Sequence, residues 1–135
     1  MSGENSESFT YNVTVANSGG NKYFISEHSG AAPTLTLKKG NTYRFDQSDS
    51  SNIGHPFQFS TTSNGTHGGG TAYSTGVTTT GSAGNAGSYV EISVTDSTPS
   101  TLYYYCTNHS GMGGTINVVE PVSVYNHEQG LNYDS

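Results

Sequence analysis

The chain has 135 residues, of which 30% are hydrophobic and 10% charged, with 18 Gly, 10 Tyr and a net charge of -6. Ordinary globular chains carry roughly 45–50% apolar and about 25% charged residues, and here Gly, Ser and Thr fill the gap, which argues against helices and for sheets. Four Lys plus Arg stand against ten Asp plus Glu, so the clustered cations needed to grip nucleic acid or an anionic membrane surface are missing, and no run approaches the roughly 20 apolar residues of a membrane span.

One domain with one core is expected at this length. Aromatic residues at 11% and regularly spaced apolar runs argue against disorder. Met1–Ser8 has no basic region followed by an apolar one, so no secretory signal is expected. It reads as a polar N-terminal arm, residues 1–8.

In chain order, β-rich runs separated by Gly, Asn, Asp, Ser and Pro predict strands over Phe9–Ala16, Lys22–Ser26, Thr34–Lys38, Thr42–Gln47, His55–Ser60, Tyr89–Thr95, Leu102–Cys106 and Thr115–Val119. Seven or eight short strands within residues 9–119 predict an all-β Greek-key sandwich. The short connection Lys39-Gly40-Asn41 predicts a hairpin in which Leu35 and Leu37 face the core opposite Tyr43 and Phe45. Gly65–Gly87 breaks the spacing and reads as a long Gly/Ser/Thr loop or insertion. Residues 120–135, opened by Pro121, form a polar C-terminal tail that keeps Val122, Val124, Tyr125, Leu131 and Tyr133.

The lone cysteine, Cys106, excludes a disulfide within the chain. It opens the run Cys106-Thr-Asn-His109-Ser-Gly-Met112, which places a thiol, an imidazole and a thioether on one short loop after a strand. His55 offers a second imidazole. Strand parity puts His55 on the face of Phe57 and Phe59, and Cys106 on that of Leu102 and Tyr104, so both point inward. Two His, a Cys thiolate and a weak axial Met are what a type 1 copper site requires. Zinc is the chemical rival, although Met is a poor zinc ligand, and the third reading is a fold that carries no metal, with Cys106 a small buried hydrophobe. His28, His67 and His127 sit among Ser, Gly and Asn and read as solvated histidines. Asn12, Asn64 and Asn108 open glycan acceptor triplets, which are expected by chance in a chain this rich in Ser and Thr.

The segments Gly54-His55-Pro56-Phe57, Thr101–Cys106 and Cys106-x2-His109-x2-Met112-Gly113-Gly114-Thr115 resemble the copper-binding motifs of the cupredoxin family, which includes plastocyanin and amicyanin. Pro33–Phe45 is similar to the family's early strands. The resemblance covers most of Pro33–Val119, with Gly65–Gly87 unmatched. It implies a cupredoxin-like fold holding one copper ion, with His55, Cys106 and His109 as equatorial ligands and Met112 as axial ligand. Family members usually carry Asn after the first histidine, where it ties the ligand strand to the Cys loop. Pro56 stands there instead and has no N–H to offer.

Two functions follow as expectations. One is a copper-binding module serving as a structural or decoration protein of a larger assembly, a phage virion or surface structure. Modules in marine phage and surface proteins resemble this sequence in their Tyr-Tyr-Cys and His-Ser-Gly-Met-Gly-Gly stretches. Its partners would be neighbouring chains contacted by the arm and the tail. The other is a small blue-copper electron carrier whose acidic surface steers a redox partner protein. An enzyme is not expected, because no nucleophile triad or phosphate loop stands out and a saturated copper site leaves no position for substrate.

Overall fold

The computed structural model describes residues 6–121. Alternating apolar and polar residues build nine strands: β1 (Ser8–Asn17), β2 (Asn21–Ile25), β3 (Leu35–Lys38), β4 (Thr42–Asp46), β5 (Phe57–Ser60), β6 (Val77–Thr80), β7 (Tyr89–Ser93), β8 (Thr101–Cys106) and β9 (Thr115–Val119). They form two mixed sheets, ordered β2-β1-β4-β7-β6 and β3-β9-β8-β5. The result is an all-β sandwich, with nine strands among the described residues where seven or eight were expected.

The inward faces follow the period of two. Tyr43 and Phe45 on β4, Val90 and Ile92 on β7, Leu102, Tyr104 and Cys106 on β8, and Ile116 and Val118 on β9 are all buried. Aromatic rings dominate the interior: Phe45 stacks on Phe57 with centroids 4.9 Å apart, and Phe57 stacks on Tyr104 at 5.2 Å. Outward positions carry the few charges. Arg44 and Glu91 are direct cross-strand neighbours joined by an Nε to Oε1 ion pair of 2.8 Å, a surface pair worth at most about 1 kcal/mol.

The hairpin expected at Lys39-Gly40-Asn41 does not form. β3 pairs in parallel with β9, Leu35 lying opposite Ile116, while β4 pairs with β1 and β7. The turn carries the chain from one sheet to the other, pinned by Lys39 N–H donating to the Val119 carbonyl and Gly40 N–H to that of Val94. Leu35, Leu37, Tyr43 and Phe45 are all in the core, but in opposite layers.

The stretch Gly65–Gly87 is more ordered than a loop. It opens with a 3₁₀ turn at Gly65–Gly68, bridges Ser60 to Ala72, and contains β6, which pairs antiparallel with β7. Of the expected arm, residues 1–5 lie outside the described residues. Ser6 Oγ donates to the Gly40 carbonyl and Glu7 N–H to Asn41 Oδ1. The expected tail lies outside beyond Pro121, and His127 with it.

Candidate metal centre

Cys106 is the last residue of β8 and is fully buried. Its neighbour across the sheet is Phe57, the first residue of β5. His55 lies two residues before that strand and is half-buried, while His109, three residues after Cys106, is exposed. Cys106 Sγ is 3.8 Å from His55 Nδ1 and 3.6 Å from His109 Nδ1, and the two imidazole rings are 4.7 Å apart. All three donor atoms lie within 4.8 Å of one another.

These separations fit a shared ion. Bonds of about 2.0 Å to nitrogen and about 2.3 Å to sulfur at trigonal angles separate the two donors by about 3.7 Å. Burial first, and the neighbouring His109 second, hold the His55 pKa below the ordinary imidazole value. That favours the neutral ring, which is the ligating form. Thiolate and imidazole donors together suit copper in both oxidation states, and the set is that of a single type 1 copper site.

Met112 is buried in the core cluster, and its carbonyl accepts a 3.0 Å bond from Tyr23 N–H. The following Gly113 lies so close to the Tyr104 carbonyl that a Cβ there would collide with it. Glycine is therefore required where the loop turns back against β8.

The tie between the ligand strand and the Cys loop exists despite Pro56, with its polarity reversed. The Pro56 carbonyl accepts from Thr107 N–H at 3.1 Å, and Asn108 Nδ2 donates to the Gly54 carbonyl at 3.0 Å. Behind them Gln47, only 2% exposed, brackets the ligand segment. Its Nε2 donates to the His55 carbonyl at 2.8 Å and its Oε1 accepts from Phe57 N–H at 3.0 Å. Tyr23, on β2, adds a 2.6 Å hydroxyl bond to the same His55 carbonyl. Burial, with Cys106 beside it, pushes the Tyr23 hydroxyl pKa far up, so it stays a donor.

His67 is not simply solvated. Its Nε2 lies 2.8 Å from the Cys106 carbonyl, and its ring meets Tyr105 edge-on. Sequence reasoning missed Gln47 and His67: Gln47 holds His55 and Phe57 from 8 and 10 residues away and His67 reaches Cys106 from 39, separations that no spacing pattern announces.

No protein-family model and no curated protein matches the chain. Among solved structures it is similar to reduced rusticyanin, with 19% identity over 82% of this chain and 79% of that one and a TM-score of 0.46. It is also similar to the multicopper oxidase mgLAC, at 17% identity over 87% and 40% of the two chains, TM-score 0.46. A third is the copper-containing nitrite reductase of Thermus scotoductus, at 15% identity over 94% and 31%, TM-score 0.41. The copper chemistry rests on the chain's own donor atoms rather than on these likenesses.

Proposed function

We propose that this chain is a copper-binding electron-transfer module in which His55, Cys106 and His109 hold one ion and Met112 supplies a weak axial thioether. The observation that carries this reading is the convergence of a buried thiol with two imidazole Nδ1 atoms at 3.6 and 3.8 Å. Bound copper would supply one-electron exchange between its two oxidation states. The chain's own part is to keep the donors in place. Cys106 is held by strand pairing, and His55 by Gln47, Tyr23 and the Cys loop. Phe57 and Tyr104 lie on the inward face behind the thiol and keep water out. His109, exposed between Asn108 and Ser110, gives the site an edge that a partner protein can approach.

Adding Cu(II) to the purified protein is expected to give intense thiolate-to-copper absorption in the visible, lost in Cys106→Ser. A colourless wild type with no stoichiometric metal by mass spectrometry overturns the assignment. In the carrier reading, the loaded protein exchanges electrons rapidly with a small redox protein. Placement in a virion or surface assembly is the second reading. It is favoured by the low surface charge, which suits packing against neighbours better than free diffusion, and by the polar stretches flanking the sandwich. Truncation before Phe9 or after Glu120 would then release the chain from its parent particle while the sandwich stays folded. Rapid exchange with a cytochrome by a monomer, whether or not these stretches are present, would sink that reading.

A further inference from the structure

The ligand loop Cys106–Met112 is gripped on two sides. From β2, Lys22 Nζ donates to the Gly111 carbonyl at 2.7 Å and Tyr23 N–H to that of Met112. From the other side comes the turn that leads into the segment Gly65–Gly87, which the family resemblance leaves unmatched, with Asn64 just before it. Asn64 uses both ends of its amide: Nδ2 donates to Ser110 Oγ at 2.7 Å, and Oδ1 accepts from Gly111 N–H at 3.0 Å. Three residues on, His67 reaches the Cys106 carbonyl with Nε2. A carbonyl only accepts, so this nitrogen carries the proton.

Asn64 stands in the left-handed region, at φ 65°, a conformation that Asn tolerates better than most residues. Gly65 follows it, also at positive φ, with its Cα packed against the Tyr105 ring. Tyr105 points away from the core face of β8, yet it is only 1% exposed, because this turn covers it. The turn is thus seated on β8 by Tyr105, with Asn64 and His67 directed at the loop between the donors.

We propose that Asn64 and His67 are positioning residues that preorganise the loop bearing Cys106, His109 and Met112 before metal arrives. This rests on the copper reading above. The loop contains Gly111 and is followed directly by Gly113 and Gly114, so it would otherwise have to be ordered at the moment of binding. Holding it in advance removes that entropic penalty from metal uptake. Asn64 fixes the two residues between His109 and Met112, and so the spacing of the imidazole from the thioether. His67 fixes the backbone of the thiolate ligand itself.

The test uses the full chain with Asn64→Gly, which keeps the positive φ without strain and removes the amide. It also uses His67→Phe, which keeps a ring beside Tyr105 and removes the donor. Thr79→Ala, whose hydroxyl meets Gln58 rather than the ligand loop, is the control. In metal-free Asn64→Gly, hydrogen exchange at the Gly111 amide is expected to quicken about five- to tenfold, the factor that one lost hydrogen bond of about 1 kcal/mol or slightly more produces. Cu(I) affinity is expected to fall by a similar factor in both variants, and the visible spectrum of the Cu(II) form to change its band ratio, with Thr79→Ala matching wild type throughout. Unchanged exchange at Gly111 overturns the proposal. So does faster exchange with wild-type affinity and spectrum, which would make the contacts merely structural. A wild type that takes up no copper overturns the metal-centre reading and this inference together. A wild type that colours while both variants match it overturns this inference alone.

Discussion

At the scale of single residues, Gln47 holds the His55 segment from inside the core. Replacing it by Leu leaves Phe57 N–H and Asn52 Oδ1 without their amide partner, and a buried group left unpaired costs about 1–3 kcal/mol. Urea unfolding of metal-free Gln47→Leu should register a loss of about that size. His55 sets a pH dependence. Its native pKa is depressed, so the unfolded chain binds the proton more readily. The contribution of His55 to the stability of the metal-free protein is therefore fully present above the ordinary imidazole value of about 6.5 and is lost as pH falls through that value toward the depressed one. Denaturation midpoints between pH 8 and pH 5 check this, and His55→Gln should flatten the slope. The convergence of the three side chains was legible in the sequence: Cys106 and His109 are local, and parity with Phe57 singles out His55. Gln47, Asn64 and His67 were not, since a hydrogen bond between residues 8 to 47 apart leaves no period to read.

Among the elements, the segment that follows β5 carries the least legible structure. β6 has one apolar residue, Val77, followed by three exposed Thr, so neither period two nor hydrophobicity marks it. It is identified only by its pairing with β7. The misread hairpin has a related cause, because a Lys-Gly-Asn turn specifies a local change of direction and says nothing about which sheet the next strand joins. The strand positions themselves followed from alternation, which is fixed by one-sided burial. The 3₁₀ turn over Tyr105 offers a sharp test. Gly65 has φ +55°, and a Cβ there would lie 2.5 Å from the Tyr105 ring. Gly65→Ala is expected to lower stability by about 1–3 kcal/mol through backbone strain and overpacking. Thr79→Ala on the exposed β6 should stay within about 0.5 kcal/mol. Thermal unfolding of the two metal-free variants separates these outcomes.

For the whole molecule, the site and the core share one layer of aromatic side chains, so loading the site should steady the entire sandwich. A ligand at 100 times its Kd adds about 2.7 kcal/mol if it binds only the native state. Copper is expected to raise the thermal midpoint of wild type and to leave that of Cys106→Ser unmoved. The parallel pairing of β3 with β9 has a further consequence, for the order of events during synthesis. β3 lies at the edge of its sheet and, among the described residues, pairs as a strand only with β9, and Leu35 waits for Ile116, a partner near the far end of the chain. A nascent chain that has already delivered all three donors still lacks the strand that closes the second sheet. Pairings this distant place folding in the slow range of milliseconds to seconds. A ribosome-stalled chain ending before Thr115 should therefore leave Leu35 and Leu37 open to proteolysis.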